Sequence, residues 1–192
     1  MKIGDIKTIL DSGDVQRYHA MPCVRDKQTN SQHQWRASMI LGFIYNKPIS
    51  YQMLMACLLH DFYEIFTGDI PSTVKWEHPE IKKIVDSIEE DLAMAHEMYV
   101  PSQEEKDAIK IADCLEMITF LAENTSIVNS AKAHKTMLNH IECILNKEQY
   151  KFKQVFNSDN IYKIVGEYSA RQVANLGCWN GRAYCCQCSK KA

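Results

Sequence analysis

No apolar run in this sequence approaches the roughly 18 residues that a membrane-spanning helix needs, so no membrane partner is expected. Nor does one sign of charge dominate. The chain sets 22 Lys and Arg against 24 Asp and Glu, a formal net charge of −2. That leaves no global basic field to hold duplex nucleic acid or an anionic membrane surface, and any basic residue that matters must act locally. The opening Met1-Lys2-Ile3-Gly4-Asp5 lacks the apolar stretch of a secretory signal, which gives the expectation of a cytoplasmic protein. Internal repeats, low-complexity tracts and linkers rich in Pro, Gly or Ser are also missing. A chain of 192 residues without such divisions reads as one domain, long enough to bury a real core.

Strand signals are weak throughout, and helical periodicity is what remains. A short helix is expected over 3–10, ending near Ser12-Gly13, and an ordered loop without a clean period over 14–30. A helix from about Ser31 to Tyr45 carries Ala37, Ile40, Leu41 and Ile44 on one face. Ser50 can cap the next, which the pattern runs unbroken to Phe66 through Leu54, Met55, Leu58, Leu59, Phe62, Ile65 and Phe66. The turn Thr67-Gly68-Asp69-Ile70-Pro71 stops it. Further helices are expected over 80–98, 104–123, 126–145 and 159–175, with Ser102 and Glu105 spaced as a capping box. The fold class is all-α: a helical domain over 1–176, followed by a Cys-rich tail over 177–192.

The eight cysteines fall into two groups. Cys23, Cys57, Cys114 and Cys143 are scattered, mostly in apolar helical patterns where a thiol behaves as a small hydrophobe. Cys178, Cys185, Cys186 and Cys188 share the tail, but their spacing lacks the paired C-x2-C units of a structural zinc site. Exposed thiols are the plainer reading, a metal or redox role the other. A nucleic-acid-binding protein with a tail zinc site is disfavoured by this spacing and by the acidic balance.

Three places put metal-type ligands in unusual company. His33 stands in the first turn of a helix. His60-Asp61 is followed one turn later by Glu64. Asp113 interrupts the apolar helix Ile109-Lys110-Ile111-Ala112-Asp113-Cys114-Leu115. Helical spacing puts His60, Asp61 and Glu64 on one side, bordering the apolar stripe. Burying an imidazole beside two carboxylates is expensive unless a cation offsets the charge. Two imidazoles and two carboxylates suit one divalent transition metal (zinc, manganese or cobalt) better than calcium, which prefers oxygen alone. Each residue also has a plain reading: His33 as a cap or core residue, Asp113 as the partner of Lys110.

In this order, the His33, His60-Asp61 and Asp113 residues resemble the H…HD…D signature of the HD-domain phosphohydrolases. The block His60-Asp61-Phe62-Tyr63-Glu64-Ile65-Phe66-Thr67-Gly68-Asp69-Ile70-Pro71-Ser72-Thr73-Val74-Lys75 is similar to HD-x-x-E-x-x-x-GD-x-P-x-x-x-K of the bacterial 5′-deoxynucleotidases and small phage dATP triphosphohydrolases. Upstream, Gly13 to His19 resembles the segment where those enzymes carry an Arg-aromatic pair. Gln32 departs from the usual Glu or His before the first histidine.

The resemblance implies metal ligation by His33, His60, Asp61 and Asp113. It gives Glu64 and Asp69 the handling of protons or of the attacking water, although Glu64 also reads as a carboxylate holding His60. Arg17, Lys75 and Lys110 become candidates for phosphate contact, which phosphoryl transfer requires next to the metal. Tyr18 resembles the aromatic that packs on the sugar and excludes a 2′-hydroxyl. Trp35 could stack on a base, but an aromatic at helical spacing reads first as core. The implied activity is a deoxynucleoside triphosphate triphosphohydrolase, with Arg25 and Lys27 as added charge for a longer phosphate chain. A 5′-deoxynucleotidase acting on monophosphates is the alternative, and a regulatory module that retains the fold is a third reading. The implied partners are the deoxynucleotide and further copies of the chain, in the cytoplasm of a bacterium or phage-infected host.

Overall fold

The computed structural model describes residues 6–20, 24, 26–124, 129–150 and 154–175. The expected tail with Cys178, Cys185, Cys186 and Cys188 lies outside them, as do Cys23 and Arg25. The described chain is helical apart from one hairpin. In order come α1 (Ile6–Gly13), β1 (Gln16–Arg17), β2 (Gln28–Thr29), α2 (Asn30–Ile44), α3 (Tyr51–Leu58), α4 (Glu64–Thr67), α5 (Ser72–Glu77), α6 (Pro79–Ala95), α7 (Gln103–Asn124), α8 (Asn129–Leu145) and α9 (Ser158–Asn175). No described helix is long and apolar enough to cross a membrane.

Helix α7 is the axis of the bundle. From Asp107 to Ala122 almost every side chain is buried, the signature of a helix covered on all sides. It packs against α2, α8 and α9. The core joins Leu41 and Ile44 of α2, Ile111, Leu115, Ile118 and Leu121 of α7, Met137 and Ile141 of α8, and Ile161 of α9.

Caps set the helix starts as the side chains dictate. Ser50 accepts the Met53 N–H at 3.0 Å to open α3. Ser102 and Glu105 form their reciprocal pair, with Ser102 N–H on Glu105 Oε2 at 2.8 Å and Glu105 N–H on Ser102 Oγ at 3.3 Å. Thr29 and Gln32 form another before α2. Gln32, the residue that departs from the family's usual Glu or His, here caps the helix that carries His33.

Three expectations need correction. The helix predicted from Ser50 to Phe66 stops at Leu58. His60 Nδ1 lies 2.7 Å from the Cys57 carbonyl, the acceptor that the Asp61 N–H would use in an unbroken helix. The chain then winds by tighter turns, Phe62 N–H to Leu59 O at 3.0 Å and Glu64 N–H to Asp61 O at 3.0 Å. The apolar stripe therefore does not stay on one face, and Phe66 ends exposed. Second, the loop over 14–30 contains the antiparallel pairing Gln16↔Thr29 and Arg17↔Gln28. Third, α5 forms where no helix is expected.

Replacing Ile118 with Ala should cost about 2–5 kcal/mol of unfolding free energy through the cavity it leaves. Met39→Ala, on an exposed face, should stay within about 0.5 kcal/mol. Urea denaturation of both variants checks the contrast.

Candidate metal centre and active site

Three segments meet at the start of α2. The first turn of α2 brings His33, wholly buried; the broken turn after α3 brings His60 and Asp61; α7 brings Asp113. His33 Nε2 lies 3.1 Å from His60 Nε2, 3.6 Å from Asp61 Oδ2 and 3.3 Å from Asp113 Oδ1. His60 Nε2 lies 3.4 Å from Asp61 Oδ2 and 4.0 Å from Asp113 Oδ1. Ligands about 2.0–2.2 Å from a transition metal sit roughly 3–3.5 Å from their neighbours in the shell. Three of the five spacings fall in that range, and the other two, 3.6 and 4.0 Å, lie a little beyond it. The donors of His33, His60 and Asp61 all fall within 4.8 Å of one another, and Asp113 reaches both imidazoles beside them.

The outer nitrogens fix the tautomers. His60 Nδ1 faces a carbonyl, which can only accept, so it donates. His33 Nδ1 faces Glu116 Oε2 at 2.6 Å. Glu116 Oε1 also receives Gln28 Nε2 at 2.7 Å and Arg36 Nε at 2.8 Å, so His33 Nδ1 donates as well. The two Nε2 atoms then face each other and two carboxylates, and the space between them takes positive charge, a proton on His33 or a metal cation. Such a set calls for a cation.

The electrostatics say the same. Burial and the Arg17 charge pull the His33 imidazole down, but Asp113 and Glu116 outweigh them and lift it to about 9. Burial pushes Asp61 up, and His60, Arg17 and His33 together hold it down to about 2. Asp113 is driven up by burial yet lies well below the usual carboxylate range, chiefly through Lys110 and His33. Its Oδ2 takes Lys110 Nζ at 2.7 Å while its Oδ1 faces His33. The Lys110 pairing and the imidazole contact are two ends of one carboxylate.

Of the other expected residues, Arg17 and Glu64 lie beside Asp61. Arg17 is buried, with Nη1 on Asp61 Oδ2 and 4.0 Å from Glu64 Oε2. Burial, with Asp61 adding to it, raises Glu64 to about 8. Arg17 Nε, Tyr18 OH, Asn30 Oδ1 and Glu64 Oε2 are buried without a hydrogen-bond partner in the protein. Gln28 Oε1 and Gln34 Nε2 share that state among the described residues, and each such atom calls for a water, ion or ligand to meet it.

Tyr18 takes the left-handed backbone, φ 59°, and stacks on Phe120 at 5.2 Å between ring centroids. Its N–H donates to Asp69 Oδ2 at 2.7 Å and its carbonyl accepts Lys27 Nζ at 2.9 Å. Gly68, φ 70°, supplies the turn that aims Asp69 there. Lys75 Nζ lies 3.4 Å from Tyr63 OH. Lys27, expected to serve a phosphate chain, is instead spent on the carbonyls of Tyr18 and Val24. Trp35 is neither in the core nor at the centre; it lies 60% exposed on α2. The sequence reading missed Glu116, Gln28 and Arg36. A glutamate inside the apolar run 109–122, one turn after Asp113, was the available signal.

A helical bundle that gathers this donor set from an H…HD…D order defines a metal-dependent phosphohydrolase of the HD type. The chain belongs to the YfbR-like 5′-deoxynucleotidase family, whose profile matches residues 7–158. Among solved structures, the HD phosphohydrolase DatZ of cyanophage S-2L, bound to dA and one catalytic zinc ion, is similar in fold. The TM-score is 0.57 at 20% identity, covering 91% of this chain and 99% of the phage protein. No curated protein sequence matches the chain.

Asp69→Ala removes the acceptor of the Tyr18 N–H, a charge-assisted bond whose loss should cost about 1–3 kcal/mol. Hydrogen exchange should show the Tyr18 amide opening faster while amides in the middle of α7 keep their protection.

Proposed function

We propose that this chain hydrolyses 5′-deoxynucleotides at the α-phosphorus, with one divalent transition metal held by His33, His60, Asp61 and Asp113. The preferred substrate in this reading is a deoxynucleoside triphosphate of the dATP type, released as deoxynucleoside and triphosphate. One observation carries the proposal: two imidazoles, each tethered through its Nδ1 to an acceptor, face each other at 3.1 Å between two carboxylates. Zinc, manganese and cobalt all fit that mixed set. When bound, such a cation supplies Lewis-acid chemistry, polarising a phosphoryl oxygen and acidifying a water.

The chain's own residues do the rest. Arg17, anchored on Asp61, offers its unpartnered Nε to a phosphoryl oxygen. Lys110, paired with Asp113, and Lys75, beside Tyr63, would neutralise the phosphates further out. Glu64, held near neutrality, is suited to take a proton from the attacking water and return it to the leaving oxygen. Asp69 acts through the Tyr18 main chain, and the Tyr18 ring lies against the deoxyribose, where a 2′-hydroxyl would collide.

A second reading, hydrolysis of deoxynucleoside monophosphates, is favoured by the description of the family itself. Trp35, Met39 and Phe43, exposed at four-residue spacing along α2, support association of several copies. A deoxynucleotide substrate fits a cytoplasmic setting.

Metal-free protein reloaded with manganese, cobalt or zinc should turn over dATP and yield triphosphate by phosphorus NMR. Asp61→Ala should abolish that turnover. Orthophosphate from dAMP, with dATP untouched, selects the monophosphate reading, and inert wild type across a nucleotide panel ends both. Tyr18→Ala should raise activity on the ribonucleotide relative to the deoxynucleotide by about tenfold; an unchanged ratio removes the ring from sugar selection.

A further inference from the structure

We propose that Glu116 is the positioning residue of the metal centre, a buried carboxylate that fixes the tautomer and ring of His33 and strengthens its grip on the cation. The inference rests on the reading of His33 as a ligand. Glu116 is wholly buried on α7, three residues beyond Asp113. That spacing puts both carboxylates on one face of the helix. Together they hold one imidazole by its two ends, Glu116 Oε2 at 2.6 Å from Nδ1 and Asp113 Oδ1 at 3.3 Å from Nε2. Rotation of the ring would break both contacts.

The two imidazoles are oriented by unlike acceptors. His60 gives its Nδ1 proton to a neutral carbonyl, that of Cys57. His33 gives its own to a carboxylate, which draws on the proton more strongly and leaves Nε2 a better donor to a cation. Gln28 and Arg36 then complete the Glu116 acceptor set from β2 and α2. Gln28 stands opposite Arg17 in the hairpin, so Glu116 also ties the arm that carries Arg17 and Tyr18 to the centre. With every Glu116 partner a donor, a glutamine cannot replace it. Its amide would oppose the Arg36 N–H or its oxygen would have to leave His33.

The test compares metal-free wild type, His33→Ala and Glu116→Gln by calorimetric titration with zinc and cobalt. Glu116→Gln should bind about 10–100-fold more weakly, with kcat recovering at saturating metal. A purely structural role would lower the unfolding midpoint without moving the metal dissociation constant. Wild-type affinity in Glu116→Gln, while His33→Ala has lost it, overturns this inference alone. Wild-type affinity in His33→Ala as well overturns the metal centre and the inference with it. Should Glu116→Gln fail to fold, the zinc-loaded wild type decides by NMR of 15N-histidine. A protonated His33 Nδ1 with a strongly downfield proton supports the role, and an unprotonated Nδ1 rejects it.

Discussion

Two imidazole nitrogens rest 3.1 Å apart inside this protein only with positive charge between them, whether a proton or a metal cation. Everything around His33 and His60 serves that constraint. Their outer nitrogens are tied off, one on a carbonyl and one on a carboxylate, which holds both rings with Nε2 inward. Asp61 and Asp113 add negative charge, and Arg17 and Lys110 restrain those carboxylates from the far side. The result is a nest whose geometry and charge are set before any ligand arrives, the preorganisation on which electrostatic catalysis depends.

The fold makes this arrangement affordable. Because α7 is covered on nearly all sides, the carboxylates it carries at 113 and 116 are held by packed neighbours rather than by solvent. The break after Leu58 has the opposite role. By taking the Cys57 carbonyl for its own ring, His60 ends one helix and swings Asp61 into range of Arg17 and both imidazoles. Local irregularity at the site rests on regular packing elsewhere.

Much of the centre was legible because its residue types are costly to bury without a purpose. His33, His60-Asp61 and Asp113 stand out from apolar surroundings, and α2, α6, α7 and α9 fall within a few residues of their expected bounds. The rest was hidden for physical reasons. The apolar period runs on past Leu58, and nothing in it shows that a side chain will claim a main-chain acceptor. A two-residue ladder is too short to display alternation, and α5 too short to display a period. Glu116 stands in an apolar run, but its role depends on three donors, from 28, 33 and 36, that converge on it only in the fold.

Tyr18 holds a backbone that favours glycine or asparagine, at a cost of roughly 1–2 kcal/mol, and both of its main-chain groups are clamped by side chains from elsewhere. Exchange for asparagine would relax the chain and discard the ring. At this one position the strained backbone and the Phe120 stack are bound together, and neither can be altered without the other.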